Sequence, residues 1–133
     1  MRPSLCQIAL ATTGLLVGLS ACASAKGTYR DVTYQPVETR LLQDDLVEFR
    51  ASVGGKGATA EAATDFAACA AAQYSLIRGF GFARHIRTTL DDKDGLWRAD
   101  AVYTISPALP RGLRTIDAEV TVSDCADRGI PTV

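Results

Sequence analysis

The sequence predicts an α+β domain of two layers, in which one amphipathic helix covers one face of an antiparallel sheet. Four of the five predicted strands alternate apolar and polar residues, which is typical of strands that bury one face only. A single alanine-rich stretch, residues 60–78, instead repeats its apolar residues at helical spacing. Turn-forming residues separate most of these segments, and the predicted order is β-β-α-β-β-β.

The first two strands are predicted at residues 37–42 and 46–53, joined by the turn Gln43-Asp44-Asp45. In the second strand, alternate positions are apolar and the positions between them are mainly charged or polar, which indicates a half-buried strand. Its predicted inward residues are Val47, Phe49, Ala51 and Val53. The short turn favours a hairpin.

The helix is predicted at residues 60–78. Thr59 lies where an N-cap belongs, and the acidic Glu61 and Asp65 in the first turns suit the helix dipole. Gly79 is expected to end the helix. The stripe that should face the sheet consists of Ala62, Phe66, Cys69, Ala70, Gln73 and Ile77.

Three more strands are predicted after the helix, at residues 82–90, 97–105 and 116–123, as an antiparallel meander. The polar run 91–95 should form the hairpin turn between the first two. The last segment shows the most regular alternation in the chain. In the first strand the predicted inward residues are Phe82, Ile86 and Leu90.

The N-terminus has the layout of a secretory signal, with Arg2 before an apolar run that starts near Ile8. The run ends in Leu19-Ser20-Ala21-Cys22, which resembles the lipobox of bacterial lipoproteins. That resemblance implies cleavage before Cys22 and acylation of its sulfur and amine. An ordinary cleavable signal and an uncleaved anchor helix are the alternatives. Ile8 to Ala21 is 14 residues, short of the roughly 20 that a spanning helix needs.

The predicted organisation is a signal peptide at residues 1–21 that is removed, a lipidated N-terminus and flexible tether at 22–36, a single α+β domain at 37–128 and a tail at 129–133. After loss of Arg2 the predicted mature chain contains 13 Lys and Arg residues and 15 Asp and Glu residues. A side-chain net charge of −2 and an export signal together argue against a nucleic-acid partner.

The four cysteines divide into two groups on this interpretation. Cys6 leaves with the signal peptide and Cys22 carries lipid, so Cys69 and Cys125 remain in an oxidising compartment and are predicted to form a disulfide. The bond would hold the helix on the sheet near the end of the last strand. A redox or metal-binding pair is the alternative, but the chain has no C-x-x-C motif and only one histidine.

The face of the sheet opposite the helix is the candidate binding surface. It is expected to carry Arg50, either Arg87 or His85, and Arg98. The alternative is a merely solvated face, since any half-buried sheet alternates charged residues outward. We predict no metal site, no cofactor and no catalytic residues, because no nucleophile motif or carboxylate pair is marked.

Taken whole, the chain resembles a class of small cell-envelope lipoproteins of alphaproteobacteria. The matching segments lie within residues 34–90: Tyr34-Gln35-Pro36, Val47-Glu48-Phe49-Arg50, Ala67 to Gln73, and Gly79-Phe80. The resemblance implies an envelope location and no particular activity. Ala23 after the lipidated cysteine favours the outer membrane, with the domain facing the periplasm.

Two functions are therefore expected. The first is a membrane-anchored adaptor that binds an envelope protein, peptide or glycan through its open sheet face or a free strand edge. The second is a structural envelope lipoprotein without a dedicated ligand. An exposed patch of aromatic or unpaired basic groups would favour the first, and a flat surface of mixed charge the second. Oligomeric state is left open.

Overall fold

A computed structural model of the chain describes residues 29–132. The predicted signal peptide at 1–21 and Cys22 lie outside these residues. The described elements, in chain order, are β1 (Thr33–Tyr34), β2 (Glu38–Leu41), β3 (Leu46–Gly54), α1 (Ala60–Ile77), β4 (Phe82–Lys93), β5 (Leu96–Ser106), β6 (Thr115–Asp117) and α2 (Ala118–Asp127). The predicted α+β class with an antiparallel sheet is confirmed, and the described chain contains two helices rather than one.

All strand pairs in the described sheet are antiparallel, in the order β1-β3-β5-β4-β6, with β2 also paired to β3. The three long strands β3, β5 and β4 form its centre. β3 pairs with β5 from Leu46 opposite Thr104 to Val53 opposite Trp97. The short strands β1 and β2 flank β3 on one side, and β6 flanks the beginning of β4 on the other.

The core lies between α1 and one face of the sheet. The four inward residues predicted for β3 are all buried, and so are their neighbours Ala99, Ala101 and Tyr103 on β5. Phe49 is fully buried, and its ring lies 5.6 Å from that of Tyr74 and 6.1 Å from that of Tyr103. Burial of one such side chain contributes about 1.5–3 kcal/mol. The many buried alanines of α1 let the helix lie close to the sheet.

Both ends of α1 form as the sequence predicts. The hydroxyl of Thr59 accepts a hydrogen bond from the N–H of Ala62 at 3.0 Å, which satisfies one of the free donors of the first turn. Gly79 follows the C-cap with a φ of 79°, a conformation that favours glycine.

The strand predicted at residues 116–123 is wrong beyond Asp117. There the chain turns into α2, because the Asp117 carboxylate accepts the N–H of Val120 at 3.1 Å and caps the helix. Ala118 and Cys125 are buried, seven residues apart on one helix face, and Cys125 is bonded to Cys69 of α1, while Val120 is 66% exposed. In residues 118–127 the buried positions therefore follow helical spacing, and the alternation of apolar residues does not indicate a strand there.

Cys69 and Cys125 form a disulfide with a Cα–Cα distance of 6.0 Å. Because Cys125 lies in α2, the bond joins the two helices. The sequence instead predicts a bond between the helix and the end of the last strand. It closes a loop of 56 residues that contains β4, β5 and β6. In the chain-entropy description such a crosslink stabilises the fold by about 3–4 kcal/mol.

A bulge in β4 changes which of its residues face α1. His85 lies opposite Tyr103, but Arg87 lies opposite the next residue of β5, Val102, so Ile86 is the extra residue. The helix-side residues are therefore Ala83, His85, Thr88 and Leu90. The predicted inward set of Phe82, Ile86 and Leu90 is wrong except at Leu90, which is itself 45% exposed.

The structured domain extends beyond the predicted boundaries of 37 and 128. Part of the expected tether is ordered, since Thr33–Tyr34 is a strand and Tyr29 and Val32 pack against the core. The rings of Tyr34 and Phe66 lie 4.8 Å apart. In the expected tail, Ile130 is buried. Aromatic and aliphatic side chains on both flanks account for the difference, because they have apolar surface to bury.

Candidate functional site

The face of the sheet turned away from α1 carries the candidate arginines. Strand register places residues that lie directly opposite one another on the same face. Arg50 lies opposite Glu38 and Asp100, Arg87 opposite Val102, and Arg98 opposite Ser52 and Asp91. The structure therefore brings Arg50, Arg87 and Arg98 to one open face.

Arg50 is the centre of a charge network on that face. Its guanidinium lies 3.6 Å from the Glu38 carboxylate, 3.6 Å from Glu48 and 3.9 Å from Asp100. Around it, Arg40 pairs with Glu48 and Arg98 with Asp100, both at 3.2 Å. Partly exposed pairs of this kind contribute about 0–1 kcal/mol each. They do neutralise one another, so the charges of Arg40, Arg50 and Arg98 are already compensated.

Arg87 differs from Arg50 and Arg98, the other two candidate arginines of the open face. It is exposed, and within residues 29–132 it has no ion pair. It also lies beside the bulge, on a strand that borders solvent. Of the three candidate arginines, Arg87 is therefore the one whose charge is available to a partner.

His85 lies on the other face, against Tyr103, with ring centroids 5.3 Å apart. Its Nε2 is 2.7 Å from the Thr88 hydroxyl oxygen, so the two side chains bridge the bulge. Burial lowers the pKa of His85, and the nearby Arg114 cation lowers it further. Both effects favour the uncharged ring. The sequence left open whether His85 or Arg87 lies on the binding face, and the structure places Arg87 there.

One edge of β4 is open. The sequence analysis expects a free strand edge but does not indicate which strand provides it. β6 pairs with Phe82–Arg84 alone, and the N–H of His85 then donates to the Arg114 carbonyl at 3.0 Å. From Ile86 to Lys93 the outer side of the strand has no neighbouring strand among the residues that the structure describes. The shortness of β6, three residues, leaves this edge open.

The direction of the free backbone groups follows from the register. The N–H of Ile105 donates to Asp45, on the β3 side, so odd-numbered residues of β5 direct their backbone groups toward β3. The β4 residues opposite them, Thr88, Leu90 and Asp92, must then direct their N–H and C=O groups away from β5. These groups form a row of donors and acceptors along the open edge.

Two features limit what this edge can accept. The bulge at Ile86 interrupts the edge at one end, and Asp91, Asp92 and Lys93 place charges at the other. Both features are common protections against unspecific pairing of edge strands. The edge is therefore suited to a partner of matching length and charge and not to any extended chain.

A third cluster connects the N-terminal segment with both helices. The hydroxyl of Tyr29 donates to the Asp65 carboxylate at 2.7 Å, and the Arg128 guanidinium donates to Asp65 and, at 3.2 Å, to Asp124. Burial and the hydrogen bond to Asp65 raise the pKa of Tyr29. Arg128 is buried, so the cluster acts as an internal connection between Tyr29, α1 and α2. Its groups are engaged with each other, which suits a structural role.

Within the described range, His, Cys, Asp and Glu side chains do not form a group of three that could hold a metal ion. None of the described helices is both long and apolar enough to span a membrane. What the site offers is an open charged face and a row of free backbone groups.

Fold and site together define a small α+β domain whose antiparallel sheet is covered by helices on one face only. The chain belongs to the YNQ4 C-terminal domain family, which matches residues 34–129. It is also similar to the "Uncharacterized 26.9 kDa protein in nqo8 5'region" of Paracoccus denitrificans, with 39% identity over 93 residues. The aligned region is 70% of this chain and 36% of that relative, so the chain spans only about a third of the relative's length. No solved structure matches.

These similarities agree with the alphaproteobacterial type of protein that the sequence resembles. The family match begins at Tyr34, the first residue of the resembling segments described above. Neither similarity carries an activity to this chain.

Proposed function

We propose that this chain is a lipid-anchored protein of the cell envelope, held in the outer membrane through Cys22 and exposed to the periplasm, and that it functions as a binding module. Its binding element is the unpaired edge of β4, which receives an extended segment of another envelope polypeptide as an additional strand. The observation that carries this proposal is the row of backbone groups at Thr88, Leu90 and Asp92, which lack a neighbouring strand in the described structure.

The unpaired edge of β4 is a better candidate for the binding element than the open face of the sheet. Backbone groups at a sheet edge keep their full capacity to form hydrogen bonds with an added strand. Arg40, Arg50 and Arg98 of the face are neutralised by Glu38, Glu48 and Asp100, and a ligand of these arginines would have to displace those carboxylates. Arg87, which has no ion pair among the described residues, lies on the same strand as the free edge.

The test is crosslinking in intact envelopes, comparing the natural chain with Leu90→Pro and Leu90→Ala. Proline at position 90 removes an N–H that points away from β5, so the ladder between β4 and β5 keeps its hydrogen bonds. We expect Leu90→Pro to lower capture of the partner about tenfold, since it removes an edge hydrogen bond and obstructs the added strand.

Leu90→Ala is the matched control, because it shortens the same side chain and keeps the N–H. It should capture the partner nearly as well as the natural chain. Equal capture by the natural chain and a folded Leu90→Pro variant would contradict the edge as the binding element. The anchor is tested separately with Cys22→Ser, which should leave the membrane fraction; continued membrane association of that variant would contradict lipidation at Cys22.

A structural envelope lipoprotein without a dedicated ligand is the second candidate. The mutual neutralisation of the open face favours it, because a flat surface of mixed charge has little to attract a ligand. In the same experiment it predicts that no polypeptide is captured in a way that depends on position 90.

A further inference from the structure

We infer that the strand received by the β4 edge is the β4 edge of a second copy of this chain, paired antiparallel about a two-fold axis that passes through Thr89. The inference rests on the proposed function, because it names the partner of that edge. Two copies would then share one continuous sheet across their β4 strands. Self-pairing of this kind is an isologous contact, in which each residue of one copy meets the complementary residue of the other.

The hydrogen-bonding pattern of β4 permits this arrangement. Antiparallel strands exchange hydrogen bonds between residues that both direct their backbone groups toward the partner. With the axis at Thr89, Thr88 lies opposite Leu90 of the second copy, and Leu90 lies opposite its Thr88. Both residues direct their groups outward. The two pairs therefore form four backbone hydrogen bonds, and neither strand needs to rotate.

Charge selects this register over its neighbours. With the axis at Thr89, Arg87 lies opposite Asp91 of the second copy and Asp91 opposite its Arg87, all on the open face. Opposite charges in such positions stabilise strand pairing, and like charges weaken it. An axis at Leu90 would place Arg87 opposite Lys93 twice. An axis at Asp91 would place two aspartates together.

The ends of the pairing also fit. In the selected register, Lys93 of one copy would lie opposite His85 of the other, where the Arg114 carbonyl already occupies the edge. Pairing therefore runs from Ile86 to Asp92, and Ile86 is the first residue of the edge that β6 and the preceding residue Arg114 leave open. The turn that follows Lys93 in each copy, which contains Asp94, then approaches the exposed Arg114 of the other.

This arrangement gives Arg87 the carboxylate that it lacks within the described part of its own chain. Arg50 and Arg98, the other two candidate arginines of the open face, already have carboxylate partners. It would also cover part of Leu90, which is otherwise 45% exposed at the edge. The two observations come from different sides of the strand and point to the same contact.

The first test is disulfide trapping in intact envelopes with the full chain carrying Thr89→Cys. At a two-fold axis the two thiols introduced at position 89 face each other across a non-hydrogen-bonded pair, about 4.5 Å apart at Cα, within disulfide reach. We expect a product of twice the chain mass on non-reducing gels. Asp91→Cys is the matched control, since the two copies of residue 91 would lie about 13 Å apart and should give at least about tenfold less dimer.

Mixing Arg87→Cys with Asp91→Cys provides the positive control for register, because these positions face each other only between different copies. The mixed pair should crosslink strongly, whereas each variant alone should not. No dimer at Thr89→Cys, or equal dimer at 89 and 91, would overturn the inference.

The second test is a charge exchange on the Thr89→Cys chain. Arg87→Glu replaces two attractive pairs with two repulsive ones, and we expect it to lower the trapped dimer about tenfold. Adding Asp91→Arg should restore the dimer, because the pairs are then reversed in sign and attractive again. Failure of the double variant to recover would overturn the proposed register.

Failure of this inference differs from failure of the proposed function. If Leu90→Pro abolishes capture of another envelope polypeptide while Thr89→Cys gives no dimer, the edge binds a foreign strand and the second copy is excluded. If neither experiment depends on the edge, both proposals fail.

Discussion

The two faces of the sheet are built from the same strands and differ in almost every other respect. On β3, Phe49 is fully buried against α1, and the next residue, Arg50, lies on the open face among three carboxylates. The covered face is held by apolar contacts that depend on close packing. The open face is held by charges that solvent can screen. The comparison teaches that stability and surface properties are encoded at alternate positions of one strand, so they can be changed separately.

The helix-covered face should give the largest response to a single substitution. Phe49→Ala removes the ring that contacts Tyr74 and Tyr103 and leaves a cavity between helix and sheet. We expect the free energy of unfolding to fall by about 3–5 kcal/mol. Urea unfolding followed by circular dichroism measures this change. A loss below about 1 kcal/mol would show that the two faces are not as different as their burial indicates.

The disulfide on the covered side should have the next largest effect. Replacing Cys69 and Cys125 together with alanine reopens the 56-residue loop, and we expect a loss of about 3–4 kcal/mol. Urea unfolding of the natural chain with and without a reducing agent provides the matched control, because reduction removes the bond and keeps the side chains. Agreement between the two losses would attribute the effect to the crosslink itself.

The open face should give the smallest response. Arg50→Gln leaves Glu38, Glu48 and Asp100 without their central cation, and we expect a loss of about 1 kcal/mol that shrinks in about 1 M NaCl. Arg87→Gln is the control, since Arg87 has no ion pair in the described chain. Measured at a concentration where the chain is monomeric, it should change stability by less than about 0.5 kcal/mol. A large, salt-independent loss at Arg50 would mean that the network is shielded from solvent.

The covered face was largely predictable from the sequence, and the elements on either side of it were less so. In β3 and β5 every second residue is apolar, and both strands are central, so alternation and burial agree. The N-cap at Thr59 and the turn at Gly79 are local signals that act within a few residues. Such signals can be recognised in the sequence without knowledge of the tertiary packing.

The last segment shows why alternation alone can mislead. Residues 116–123 alternate, but Asp117 caps a helix, and the buried positions Ala118 and Cys125 are seven residues apart. An aspartate followed by Glu119 in the first turn was the available signal, together with Gly129 beyond the helix end. The cap and the disulfide to α1 outweigh the strand preference of the valines in this segment.

The candidate site could be predicted only in part. The positions of Arg50 and Arg98 on the open face follow from alternation, and the structure agrees. The choice between His85 and Arg87 depends on the bulge at Ile86, which has no recognisable signal in the sequence. The open edge depends on where β6 begins, because Thr115 lies opposite Arg84 and the residue before it, Arg114, makes the last contact, to His85.

The disulfide also determines what happens when the backbone is cleaved between the two cysteines. The loop between β5 and β6 exposes Leu109 and Leu113 beside Arg111 and Arg114, and it lies between the two bonded cysteines. A protease that cuts this loop after either arginine divides the backbone into two pieces, but the bond between the cysteines keeps both pieces in one molecule. A chain cleaved at this exposed loop would therefore remain a single covalent molecule until the disulfide is reduced.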